Sequence, residues 1–587
     1  MALNRKQNLA GADELLLRPM VLLGPRVLAG ALAGIVLLVF LRACSGEFSV
    51  WDDLYNITGN QFLNPPTWQG LAHFWRQPYV RMYIPLTYSA WWGLAHVGRL
   101  DAPDLNGNLL NPWLFHTAVV VLHVVNVLLV FAILRRIVRR QGGPLAAALG
   151  ALVFGLHPLQ VEPVAWATGL KDTLSGALAL GALWQYLLFA EAGETGAKSS
   201  ARRGHYWIAT ALFVLSMLAK PTAVVLPALA AVLDWLVVRR RPGAVARDLA
   251  LWALLAIPCV VWTKLAQPAA EFMAPPLWSR PLIALDSLAF YLFKLLWPAQ
   301  LCIDYGRSPA YVLRHHDLYW TWIVPTALCL GLLAARSRHL LAGAMLFVIP
   351  LLPVLGLVTF VFQFYSTVCD RYVYLSMLGV AVAVAWLIDR WPRRSVIAAA
   401  GVLVVVLAVR SGLQVRYWED DTAIFEHVLD VNPGSFLAHN NYGLAITHDA
   451  ERLEMLLRKP EAEARLHEAL GHFEAAIAGN PNWDKPYDNA ARIYAHLGDH
   501  ARAIEYERHA LELGFALPPE FQRSYVPMLN FLGRQYMAAG RYREAVDVFE
   551  QAMKPSGGDS GASDAREGLA EAQAKLERSA STTQANE

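Results

Sequence analysis

Two adjacent carboxylates, Asp52 and Asp53, stand in the stretch "SVWDDLYNITGN" at 49–60, just beyond a long apolar run. Such a pair either sits in an ordinary polar turn or waits at the lipid surface to take a proton from an attacking hydroxyl. Asp53 is the favoured base, because Asp52 can cap the turn that follows. Other ionisable groups gather where further apolar runs end. "LHPLQVEPVAWATGLKDTL" holds His157, Glu162, Lys171 and Asp172, and "LAKPTAVVLP" holds Lys220. "VCDRYVYLSMLG" places Asp370 and Arg371 beside Tyr372 and Tyr374, and "QPYVRMYIPLTYSAWW" adds Arg81 and Tyr83. Charges near membrane depth are costly and mark function by default. Taken singly, an Arg or Tyr at a span end is more often an interfacial anchor, and His157–Pro158 can simply end a helix. Together, the cations suit a phosphate head group and the carboxylates suit proton removal.

The elements that must position these groups follow from composition. Of 587 residues, 56% are hydrophobic and 17% charged, too apolar for a soluble protein and too polar for membrane spans alone. The two characters separate along the chain. Long apolar runs recur up to about Arg410, and charged helical text follows. Candidate spans are 27–42, 113–134, 144–157, 170–190, 206–219, 221–238, 249–265, 319–335, 339–360, 373–389 and 394–410, about eleven. The apolar stretch 281–297 breaks the alternation of basic loops and reads as a re-entrant or outward-side helix. The N-terminal Arg5, Lys6, Arg18 and Arg26 precede a first span that is retained rather than cleaved. Basic loops such as "LRRIVRR" and "VVRRRPGAVAR" face the cytoplasm with the N-terminus. Loops 43–112, 158–169, 266–318 and 361–372 then face outward, as does everything beyond the last span. The five cysteines lie in the membrane half without CxxC spacing and read as inert thiols.

Beyond residue 413 the text repeats with a period of about 34 residues, the signature of tetratricopeptide repeats. "LNFLGRQYMAAGRYREAVDVFEQAM" places Leu532, Gly533, Tyr536, Gly540, Ala545, Phe549 and Ala552 at that spacing. "PYDNAARIYAHLGDHARAIEYERHAL" is a second copy, and "AHNNYGLAITHDA…EALGHFEAAIAGNP" a third with an insertion between its helices. These small and aromatic residues are core. The solenoid offers a concave face to a protein acceptor or partner. The fold class is therefore all-α: a polytopic membrane domain at 1–412 with a large first outward loop, a repeat domain at 413–556, and a capping helix with a flexible tail at 557–587. The sequence carries no Gly-rich nucleotide loop and no metal-ligand spacing such as HExxH, and nothing in it supports nucleic-acid binding.

The ordered series "VWDD", "YIPLT", "HPLQVEPVAWATGLKDTL", "AKPTAVVLPALAAVLDWL", "FYLFKLLWPAQLCIDYG" and "DRYVYLSMLG", followed by the repeats, resembles the transmembrane and tetratricopeptide repeat-containing protein family. Members of that family are regarded as O-mannosyltransferase-like enzymes of the C-type glycosyltransferase superfamily. The resemblance implies a GT-C-like membrane domain and a sugar donor carried on a polyprenyl phosphate, used on the outer side of the membrane. It implies an acidic residue in the first outward loop as base or acceptor-orienting group, here Asp52 or Asp53. Arg81, His157, Glu162, Lys171, Asp172, Lys220, Asp370, Arg371 and Tyr372 are then the donor- and phosphate-binding candidates. The lipid-linked sugar is a substrate; no cofactor is assigned, and a metal requirement stays open. The location implied is an inner or plasma membrane, or the endoplasmic reticulum in a eukaryote. Two alternatives remain at the level of sequence: a non-catalytic scaffold for envelope assembly, and a ligase or polymerase of lipid-linked oligosaccharides.

Overall fold

A chain in hydrocarbon must satisfy its backbone polar groups internally, so apolar runs of this length become helices. The computed structural model describes residues 24–104, 107–138, 143–194, 199–267, 275–315, 318–516, 525–553 and 562–586. The basic residues Arg5, Lys6 and Arg18 lie outside these. Among the described residues the regular structure is helical, joined by isolated bridges such as Tyr79–Met82 and Arg99–Leu110. The chain divides into two compact units, Met1–His427 and Val428–Glu587.

Among the described residues of the first unit, seven helices are long and apolar enough to cross a membrane: Pro25–Ser45, Pro112–Ile137, Ala167–Gly193, Pro221–Val238, Pro242–Ala266, Leu318–Ala335 and Arg394–Trp418. An eighth is possible if Gly143–Leu156 and Pro158–Ala165, bent by 55°, form one span. The difference from eleven has local causes. The 144–157 helix stops at His157, whose extended backbone (φ −71°, ψ 134°) is what a following proline favours. Helix Arg338–Val348 passes into a 3-10 segment, Ile349–Val354, that carries two prolines. Met377–Arg390 has 14 residues, a rise of about 21 Å against a hydrocarbon core of roughly 30 Å. The last two helices pack closely, and a Cβ on Gly379 would lie 2.2 Å from the Gly343 carbonyl oxygen. Helix Arg280–Leu296 buries Asp286 and Lys294 and is not among the candidate spans.

The segment that follows the first candidate span is a folded layer. Phe48, Ile57, Leu63, Phe74, Tyr88 and Trp91 form its core together with Phe115 at the start of the next span. Tyr88 donates from its hydroxyl to Asn56 Oδ1 at 2.8 Å, fixing the turn that follows the two aspartates. The unit runs past the compositional change at 412/413, because residues 419–425 pack on this loop. Glu47 N–H donates to the Glu419 carbonyl at 2.9 Å, and Trp51 stacks on Phe425 with ring centroids 6.1 Å apart.

The second unit is a run of antiparallel helix pairs: Phe436–Met455 with Lys459–Gly479, Asp484–His496 with His500–Phe515, and Val526–Ala538 with Tyr542–Met553, then Ala562–Asn586. A Cβ on Gly533 would meet the Phe549 ring at 2.7 Å, which is why the repeat spacing demands a small residue there. The insertion in the first pair is absorbed as length, its helices having 20 and 21 residues. The final helix continues to Asn586, where the sequence suggests a loose tail. The stretch 554–561 before it lies outside the described residues.

Candidate active site

The two aspartates face different surroundings. Asp53 is fully buried. Its Oδ2 accepts from Ser49 N–H at 3.0 Å, and its Oδ1 accepts from Thr168 N–H at 2.9 Å and from the Thr168 hydroxyl. Asp52 turns the other way, and its Oδ2 lies 3.3 Å from Lys171 Nζ with about a third of the side chain exposed (34%). Asp52 therefore spends its carboxylate on a cation rather than on capping the next turn, and Asp53 has both oxygens committed to holding the loop.

Helix Leu170–Glu194 begins directly after the 3-10 turn Ala167–Gly169, so Thr168, Lys171 and Asp172 emerge from one rigid corner. Trp166 precedes it and lies between two cations: Lys171 Nζ is 5.4 Å from its ring centroid, and the Arg371 guanidinium carbon 5.5 Å. Arg371 forms a buried ion pair with Glu162, which also accepts from Arg371 N–H at 3.3 Å and from the Cys369 thiol at 3.1 Å. Lys220, at the start of the turn Pro221–Val225, pairs with Asp172 and lies 5.9 Å from the Tyr372 ring centroid. A pocket of about 390 Å³, counting its open mouth, is lined by Asp172, Lys220, Arg371 and Tyr372 together with Ser175 and Tyr374.

Of the donor- and phosphate-binding candidates, Glu162 and Lys171 stand behind the lining, and His157, Asp370 and Arg81 also lie off it. His157 is buried, with Nε2 donating to the Leu295 carbonyl at 3.1 Å and Nδ1 accepting from Leu159 N–H at 3.2 Å. Both ring nitrogens serve the backbone, so the side chain fixes the bend. Asp370 accepts from the Tyr305 hydroxyl at 2.8 Å, and burial, with Glu162 adding to it, holds its carboxyl well above the usual range. Arg81 is exposed, with a left-handed backbone (φ 59°) in the turn closed by Tyr79 and Met82.

Sequence reasoning passed over Trp166 and Thr168, although both stand inside a quoted motif. It also missed Asp421. The signal was a second pair of aspartates, "EDD", placed after the last span as the first pair is placed after the first. Asp421 Oδ1 accepts from the Ser49 hydroxyl at 2.7 Å and from Val50 N–H at 3.1 Å. Burial raises the carboxyls of Asp53 and Asp421 from 3.8 to about 7, against the hydrogen bonds that lower them. The folded protein then binds protons that the unfolded chain releases between roughly pH 4 and 7, so this stabilisation is complete at acid pH and lost as pH rises through about 7. The melting temperature of the purified protein should fall across that window, and less steeply in Asp53→Asn and Asp421→Asn. An identical slope in both variants and the parent would contradict the assignment.

Fold and site together define a helical membrane protein carrying tetratricopeptide repeats. Residues 485–513 and 529–560 match tetratricopeptide repeat models. The chain is similar to protein O-mannosyl-transferase TMTC4 of Mus musculus, 25% identical over 69% of this chain and 62% of that protein. It is also similar to protein O-mannosyl-transferase TMTC1 of Homo sapiens, 23% identical over 80% of this chain and 57% of that protein. The chain thus spans about three fifths of the length of these relatives. Among solved structures, ArnT from Cupriavidus metallidurans bound to undecaprenyl phosphate aligns at 17% identity over 84% of this chain and 81% of its own, with a TM-score of 0.35, too loose a superposition to carry an argument. Among the described residues, no three His, Cys, Asp or Glu side chains gather as a metal site.

Proposed function

We propose that this chain is a membrane glycosyltransferase with a GT-C-like membrane domain. It moves a mannose-like sugar from a polyprenyl-phosphate donor to a protein hydroxyl. The observation that carries the reading is a chain of three cations: Lys171 and Arg371 lie at the Trp166 ring, Arg371 and Lys220 line one pocket, and the part-exposed carboxylate of Asp52 lies on Lys171. The likeness to proteins named O-mannosyl-transferases, extending over most of the chain, supports it. A scaffold has no need of such a cluster.

In this reading the donor phosphate enters the pocket and takes hydrogen bonds from Lys220 and Arg371. Asp52 removes the proton of the acceptor hydroxyl as the new glycosidic bond forms. Asp53 acts through the loop, holding Ser49 and Thr168 so that Asp52 stays in place. Lys171 keeps Asp52 oriented. The repeats bring the acceptor protein along their concave face. The N-terminus is cytoplasmic and the site faces outward, or into the endoplasmic reticulum lumen in a eukaryote. A reporter active only in the cytoplasm, fused after Arg578, stays silent; strong activity there would reverse the orientation.

Donor kinetics test the pocket. Lys220→Gln keeps a hydrogen-bond donor for Asp172 but removes the charge. It should raise the donor KM about tenfold or more, the scale of one charge-assisted contact of roughly 1.5–3 kcal/mol, without moving the KM for acceptor. An unchanged donor KM would make Lys220 an interfacial anchor.

A further inference from the structure

The turn that leads into Asp52 is short, and each of its backbone donors needs an acceptor where water is excluded. Ser49 N–H finds one inside the turn, Asp53 Oδ2 at 3.0 Å. The next two donors depend on a residue far along the chain. Val50 N–H donates to both carboxylate oxygens of Asp421, each at 3.1 Å. Trp51 N–H donates to Ser49 Oγ at 3.3 Å, and that hydroxyl donates to Asp421 Oδ1 at 2.7 Å. The rotamer of Ser49, and with it the acceptor for Trp51, is thereby set by Asp421. Two successive peptide units that run directly into Asp52 thus end on one carboxylate. On the other side, the Asp52 carbonyl accepts from Asn56 Nδ2 at 2.8 Å.

Side chains of the same segment add to this. Phe425 is fully buried, one turn beyond Asp421 on the helix Asp421–Val431, and it stacks on the Trp51 ring. The Trp418 ring lies 5.9 Å from the ring of Trp166, at which Lys171 and Arg371 stand. Residues 418–425 therefore touch both the backbone that aims Asp52 and the ring that carries the cations.

We propose that Asp421 is a positioning residue for sugar transfer, aiming Asp52 through Ser49, Val50 and Trp51. The inference rests on the reading of Asp52 as the base. A base must come within about 2.6–3.2 Å of the proton it removes, and a displacement of about 1 Å costs up to roughly 10²-fold in rate. Lys171 holds the end of the Asp52 side chain but not the peptide units that carry it. Asp421 holds those units. It is not among the residues that line the pocket of Lys220 and Arg371, so its loss acts on the chemical step rather than on donor binding.

Asp421→Leu keeps the approximate size of the side chain and removes both acceptor oxygens. In the full-length protein, with polyprenyl-phosphate mannose and a hydroxyl-bearing protein acceptor, it should lower kcat by about 10- to 100-fold and leave the donor KM unchanged. Asp421→Asn keeps Oδ1 for Ser49 and Val50 and should regain most of the rate. Placed in an Asp52→Asn background, Asp421→Leu should lower the residual rate no further, because no base is left to aim. A parent-like kcat in Asp421→Leu would overturn the proposal. So would a further tenfold fall in the Asp52→Asn background, the mark of a residue that merely supports the fold. Should Asp421→Leu fail to fold, Ser49→Ala decides: it removes the hydroxyl between Trp51 N–H and Asp421, and kcat should fall about threefold or more, the scale of one hydrogen bond, again at constant donor KM. Transfer at the parent rate by Asp52→Asn alone would instead remove the base reading on which the proposal rests.

Discussion

Asp52→Asn should abolish sugar transfer in a protein that still inserts and folds. Asparagine keeps the size of the side chain and an oxygen for Lys171, which stands 3.3 Å away in the parent, and it removes the charge and with it the basicity. A positioned general base contributes about 10²–10⁴-fold, so the residual rate should fall by that factor with the melting temperature unchanged. Asp53→Asn should behave differently. All donors to its two oxygens are N–H or O–H groups, so an amide turns its own NH₂ toward one of them, and stability falls together with rate. Transfer at the parent rate by Asp52→Asn would leave the carboxylate an ordinary loop residue.

The largest effect on stability should come from Arg371→Ala. The side chains of Arg371 and Glu162 are 6% and 2% exposed, and removal of one leaves the other's charge stranded. Breaking a buried pair in this way costs about 3–5 kcal/mol. Loss of Arg371 also takes a cation from the Trp166, Phe362 and Tyr372 rings, which lie 5.5, 4.6 and 5.4 Å from its guanidinium carbon. The double variant Glu162→Gln/Arg371→Met removes both charges and should recover part of the loss. Denaturant unfolding of the three proteins checks this. A single variant as stable as the parent, or a double variant no better than the single, would mean that the pair is not the buried unit described.

The sequence made some of this visible and hid the rest for physical reasons. Repeat spacing at Gly533 and Phe549 exposed the solenoid because close helix approach allows few residue types. Span lengths were harder, since hydropathy cannot see where a proline or a bend interrupts an apolar run, as at His157–Pro158. Within the site, ionisable residues at span ends announced themselves by their cost in lipid. Asp172, Lys220 and Arg371 line one pocket, while Lys171 stands behind it on Asp52 and Trp166. His157 looked alike in sequence yet serves only the backbone, because no pattern of residue types reveals which carbonyl a ring nitrogen will meet. The different surroundings of Asp52 and Asp53 depend on Thr168 and Asp421, one far along the chain and the other beyond the last span. Pairing over such separations is set by packing and leaves no local trace.

The central claim is chemical transfer from a lipid-linked phosphate sugar. Its most direct test is the purified protein in liposomes with a radiolabelled polyprenyl-phosphate mannose and a hydroxyl-bearing protein acceptor. Label should move onto serine or threonine of the acceptor with the parent protein and not with Asp52→Asn. Label that stays on the lipid in both, while the protein is folded and binds the acceptor, would contradict the account and leave a membrane scaffold in its place.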